Sequence, residues 1–179
     1  MSLCAKHCFK EYLRMKNNKR LFITFIIVTV IAVLIDGYII MHSCFNANLS
    51  SSSSGRAVAI LKTIINFFHK NTINESNIGV FTHVVRKLIG HFGFFLIAGI
   101  FNTWSIYLGQ KDYRLFNYTL FIFGTLTFGF LLASFTEFIQ MFVPGRSGET
   151  KDALIDFSGY SIGATIIYVI TLIITKKKK

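Results

Sequence analysis

The sequence predicts an all-α membrane protein, a bundle of four transmembrane helices with an external amphipathic helix in the first loop. Three observations predict it. Hydrophobic residues make up 53% of the 179 positions, with 20 Phe and a single Pro, more apolar surface than a soluble domain of this size hides. These residues gather in runs at 21–41, 88–108, 116–142 and 154–175 instead of spreading at core spacing. The basic residues flank the runs. About 20 apolar residues cross ~30 Å of hydrocarbon, so each run is long enough to span. Backbone groups in lipid must be satisfied within the segment, which makes each run a helix. The ~10-residue alternating segments of a β-barrel do not occur.

The first run follows a basic lead of Lys6, Lys10, Arg14, Lys16, Lys19 and Arg20. It exceeds the apolar core of a signal peptide, and no small-residue cleavage site follows, so it reads as an uncleaved helix. Charge then sets the sidedness. The net charge is +11, with Lys and Arg clustered at both ends. The positive-inside rule places the basic N-terminus, 1–20, and the tail, 176–179, in the cytoplasm of a cell-membrane protein. Between them, 21–175 form one transmembrane domain. The connection 109–115, with Lys111 and Arg114, is then cytoplasmic. The connections 43–87 and 143–153 are external. Basic residues that flank spans meet anionic headgroups, so membrane lipids are the expected partners and nucleic acid is not. Cys4, Cys8 and Cys44 form no disulfide framework, and no zinc-ligand spacing or cofactor-binding signature is present.

The first connection has two parts. Residues 46–55 are rich in Ser and Asn and read as a flexible link. In 57–69, Val58, Leu61, Ile64, Ile65 and Phe68 recur at a helical period. This helix lies either on the membrane surface or as a lid over the external mouth of the bundle.

The polar residues of the spans carry the functional signal, because ionisable groups in lipid are costly and mark sites. Arg86 and Lys87 open the second helix, and His91 follows Lys87 at i+4. Glu137 and Gln140 stand three apart near the close of the third. Arg146 lies in the turn Pro144-Gly145-Arg146-Ser147-Gly148. Asp152 and Asp156, four apart, open the fourth. With the second helix starting outside, the third ending outside and the fourth starting outside, all of them converge on the external third of the bundle. Asp36, toward the outer end of the first helix, is placed to join that layer. Asp152, Asp156, Gly159 and Gly163 share one helix face. The two glycines permit close helix contact there.

The stretch 85–95, with Arg86, Lys87, His91 and Phe92, resembles a signature of VanZ-like membrane proteins. Glu137 and Gln140, then Pro144-Gly145-Arg146, then Asp152, Asp156, Gly159 and Gly163 are similar to that family's second block, in order and spacing. The chain has Gly93 where many members carry an acidic residue, and no Gln follows Ser43 in the pattern many members show. The resemblance implies a role in teicoplanin-type antibiotic resistance at the cell envelope, and it names no reaction.

Two functional readings and one structural reading follow. Arg86, Lys87 and Arg146, with Gln140, Asp152 and Asp156, suit a binding site for a lipid-linked cell-wall precursor or a lipoglycopeptide, because guanidinium groups take phosphate and carboxylate bidentately. Alternatively, His91 and Glu137 act as catalytic base and acid on a lipid-linked phosphate or pyrophosphate, with Asp152 and Asp156 holding Mg²⁺ or Mn²⁺. In the structural reading, Lys87 pairs with Glu137 and Arg146 with Asp152 or Asp156, and the pairs only fix the bundle. Asp156 is expected against Arg146 or Lys87 in any case.

Overall fold

The structure is a computed structural model describing residues 19–70, 72–110 and 117–176, with backbone alone over 47–54 and at 176. Most of the basic N-terminus (1–18, with Cys4 and Cys8), Lys111 and Arg114, and the tail beyond Lys176 lie outside the described residues.

Among the described residues the fold is helical throughout. Helix α1 is Lys19–Ser43 and α2 is Ala47–Phe68. The long helix α3 runs over Ile78–Gln110, α4 over Tyr118–Gln140 and α5 over Thr150–Lys176. Helices α1, α3, α4 and α5 are long and apolar enough to cross a membrane. Only 17–33% of the residues in their most apolar windows are buried, so most of their apolar surface faces outward, as lipid contact requires.

Several helix boundaries differ from the sequence reading. Helix α3 starts at Ile78 and not near 88, because Ile78–Val85 is itself apolar and carries no helix stop. Arg86 and Lys87 therefore sit inside a helix and do not open one. Helix α2 starts at Ala47, so the Ser-rich segment is helical and not a flexible link. Serine is a weak helix former but no breaker, and propagation from a formed helix needs only one hydrogen bond per residue. Helix α4 starts at Tyr118 because the Asn117 side chain accepts from the N–H groups of Thr119 at 2.9 Å and Leu120 at 3.3 Å. Helix α5 starts at Thr150, one turn ahead of the apolar run, which brings Asp152 into its first turn.

The closest packing is between α3 and α5. A Cβ on Gly159 would overlap the Phe92 carbonyl oxygen, and one on Gly163 would overlap that of Leu96. From the other side, a Cβ on Gly99 would overlap the Tyr160 carbonyl. Three glycines thus let the two backbones touch. Around this seam Ile39, Phe95, Ala98, Leu132, Ala133, Tyr160 and Ala164 form the core.

Polar contacts step along the bundle. Asn102 Nδ2 donates to Asp36 Oδ1 at 2.9 Å. The hydroxyls of Thr29 and Ser105 meet at 2.7 Å, and those of Tyr118 and Thr175 at 2.6 Å at the far end. Asp36 thus pairs with a residue eleven positions beyond His91, about 16 Å along α3, and does not join the His91 layer. The sequence reading misses Asn102 because it weighs charge and passes over a neutral amide.

Candidate functional site

Helix α3 changes its winding over Arg86–Gly93, where it runs as a π-helix. Wider π turns inside α-helices are rare and concentrate at functional sites. This one carries Arg86, Lys87 and His91, and Gly90 and Gly93 keep its backbone lightly substituted. The segment lies against the N-terminal half of α5.

Lys87 Nζ meets Asp152 Oδ1 at 2.5 Å in a partly buried contact. One turn deeper on both helices, His91 Nδ1 lies 3.1 Å from Asp156 Oδ1. The same His91 nitrogen lies 3.9 Å from Glu137 Oε1, and its Nε2 lies 3.9 Å from Asp152 Oδ2. The π turn presents Lys87 and His91 to two successive carboxylates of α5, so Lys87 and Asp156 do not take the partners expected from sequence. Asp156 pairs with His91 and not with Arg146 or Lys87. Lys87 pairs with Asp152 and not with Glu137.

Glu137 is buried and tightly oriented. Gln140 Nε2 donates to its Oε1 at 2.8 Å, and the Glu149 backbone N–H donates to its Oε2 at 3.0 Å. The second bond depends on the turn after α4. Pro144 and Gly145 occupy the two central positions of a turn closed by Arg146 N–H to Val143 O at 3.1 Å, with Gly145 at φ 76°. Pro then Gly in this order suits a type II turn, which needs positive φ at its second central residue. Gly148 then lies so close to the end of α4 that a Cβ would overlap the Glu137 carbonyl. The chain folds back over Glu137 and delivers the next backbone donor to its carboxylate.

The same turn aims Arg146 at α1, where Nη1 donates to the His42 carbonyl at 3.3 Å. Burial pulls the Arg146 guanidinium down from its usual value; Glu137 opposes this and Arg86 adds to it.

A cavity of about 200 Å³ opens beside these groups. Arg86, His91, Gln140, Arg146 and Asp156 contribute its polar lining, and Tyr38, Ile39, Ile89, Phe94 and Phe95 its apolar lining. His42 and Ala57 also line it. Helix α2 therefore borders the cavity through Ala57, while its Ile60, Ile64 and Phe67 form an exposed apolar stripe.

The structure thus brings His91, Glu137, Gln140, Asp152, Asp156 and Lys87 into one network, with Arg86 and Arg146 on the adjoining cavity wall. Sequence reasoning passed over His42 and Tyr38, although a His at the end of an otherwise apolar span is a signal of the same kind as His91. It had no means to find the Glu149 backbone donor.

A four-span helical protein with buried carboxylates, an imidazole and a guanidinium meeting at one end of the bundle is a polytopic membrane protein built around a polar site. The VanZ/LLP1 family model matches residues 20–172, from the first span almost to the end of the last, and the chain belongs to that family. No curated protein and no solved structure gives a significant match to it.

Proposed function

We propose that the protein binds or shields an amphiphilic ligand at the outer face of the bacterial cytoplasmic membrane, a lipid-linked cell-wall precursor or an acylated glycopeptide, and so contributes to teicoplanin-type resistance. The observation that carries this reading is the cavity's mixed polar and apolar lining. Arg86 and Arg146 line the cavity together with Tyr38, Ile89 and Phe94. Guanidinium groups suit phosphate or carboxylate, and the apolar lining residues suit the first methylenes of a chain. Lys and Arg clustered at both chain termini support an external position for this end of the bundle.

A second reading makes the protein a hydrolase or transferase of lipid-linked phosphate or pyrophosphate. Its support is His91 held 3.1 Å from Asp156 beside the Glu137 carboxylate, a set able to move protons.

Expression in a susceptible Gram-positive host tests the first reading. Wild type is expected to raise tolerance to teicoplanin more than to vancomycin, because an acylated drug or a lipid-linked precursor sits at the depth of this site. Glu137→Gln removes charge at constant shape, and Arg146→Lys removes the guanidinium fork at constant charge. Each is expected to abolish the tolerance at unchanged membrane abundance. Equal tolerance from all three chains would mean that the polar layer is scaffolding.

A further inference from the structure

We propose that His91, Glu137 and Asp156 form a site for one divalent transition-metal cation, Zn²⁺ or Mn²⁺. One ligand atom from each residue lies within 4.8 Å of the others. His91 Nδ1 stands 3.1 Å from Asp156 Oδ1 and 3.9 Å from Glu137 Oε1. Nitrogen and oxygen ligands about 2.1 Å from a metal are spaced about 3.0–3.5 Å apart, so His91 and Asp156 already stand at ligand spacing and Glu137 has to move in toward them to close the set.

Charge points the same way. Glu137 and Asp156 are 5% and 1% exposed, and two buried carboxylates face a single imidazole. Among the described residues no Lys or Arg lies within ion-pair distance of either, since Lys87 is taken by Asp152 and Arg146 donates to the His42 carbonyl. Asp156 Oδ2 is buried and has no hydrogen-bond partner. A buried carboxylate oxygen left bare is expensive, and a cation removes that cost. This orphaned atom is independent of the clustering itself.

The surroundings are those of a metal centre. Gln140 and the Glu149 N–H hold both oxygens of Glu137 in place. With a metal on Nδ1, His91 directs Nε2–H toward Asp152, whose Oδ2 lies 3.9 Å away and which Lys87 in turn anchors. Metal-bound histidines usually place a carboxylate, carbonyl or water on the second nitrogen. His91 and Asp156 both border the cavity, so a further coordination position opens toward it, for water or for a phosphate oxygen. The imidazole favours a borderline transition metal over Mg²⁺. The ligand set differs from the Asp152–Asp156 pair suggested by sequence, because Asp152 is engaged by Lys87. The site stands whether or not the cavity binds a lipid-linked phosphate.

The test is metal titration of the full chain in detergent, stripped with chelator, with Cys4→Ser, Cys8→Ser and Cys44→Ser to remove thiol binding. Mn²⁺ followed by electron paramagnetic resonance is expected to fill one site per chain, and one equivalent of Zn²⁺ to displace it. His91→Ala, Glu137→Gln and Asp156→Asn are each expected to weaken Mn²⁺ binding at least tenfold, and Asp36→Asn, in the deeper polar contact, to bind as wild type. Absence of saturable binding to wild type overturns the proposal outright, whatever the variants' stability. So does equal binding by Asp156→Asn. No lipid or antibiotic enters the titration, so its failure leaves the antibiotic phenotype as a separate question.

Discussion

His91 and Asp156 are 65 positions apart in the chain, and their side chains meet at 3.1 Å. The contact joins the π-wound part of α3 to the second turn of α5. On the surface of the same two helices, Lys87 and Asp152 repeat the connection. The polar site is therefore a property of one helix pair, completed by Glu137 from α4 and by Arg146 from the turn after it.

Ligand binding by the purified chain is expected to separate binding from turnover. With a polyprenyl pyrophosphate in mixed micelles, wild type should bind saturably and release no orthophosphate. Arg146→Lys should weaken binding about tenfold, roughly 1.4 kcal/mol, because an ammonium cannot grip two oxygens in a plane. Release of orthophosphate that disappears in His91→Ala would instead establish the hydrolytic reading.

The glycine seam predicts an asymmetry between two conservative substitutions. Gly159→Ala forces a methyl into the Phe92 carbonyl, backbone against backbone, whereas a Cβ on Gly124 meets nothing within 4 Å. Gly159→Ala should destabilise by about 1–3 kcal/mol, as overpacked cores do, and Gly124→Ala should be neutral or slightly stabilising. Thermal aggregation midpoints in detergent check this; equal midpoints would show that α3 and α5 have room to separate.

Ala57 reaches the cavity from α2, far from every ionisable residue of the network in sequence. Ala57→Trp should fill much of the cavity and reduce the teicoplanin tolerance several-fold at unchanged membrane abundance and unchanged Mn²⁺ binding. Full tolerance in this variant would separate the function from the cavity.

Sidedness is tested by fusion after Lys179. A fluorescent reporter that folds in the cytoplasm should be active, and an alkaline phosphatase that needs an oxidising compartment should be silent. The reverse result would put the polar site on the cytoplasmic face and remove extracellular ligands from consideration.

The sequence makes the four spans plain because hydropathy over about 20 residues has no competing explanation in a chain this apolar. The residues that cluster here were also readable. His91, Glu137, Asp152 and Asp156 stand out against Phe and Ile, and chain direction alone brings their helix ends together. Their partners were not readable. Pairing depends on the π winding at Arg86–Gly93, and a local change in helical pitch leaves no periodic trace in eight residues. Arg146 finds a backbone carbonyl and Glu137 a backbone N–H, groups that every residue carries and no motif distinguishes. The start of α3 is not legible because Arg86 and Lys87 look like a membrane border, whereas the helix begins a further two turns back.

Backbone contact at Gly99, Gly159 and Gly163 also bears on how the protein meets bilayers of different thickness. A helix whose apolar length exceeds the hydrocarbon answers by tilting. Where side chains alone separate two helices, each can tilt by itself and the spacing between them drifts. Here α3 and α5 are locked rib to rib, so mismatch should turn them as one body. The separation of His91 from Asp156 should then hold constant as the surrounding lipid thickens or thins.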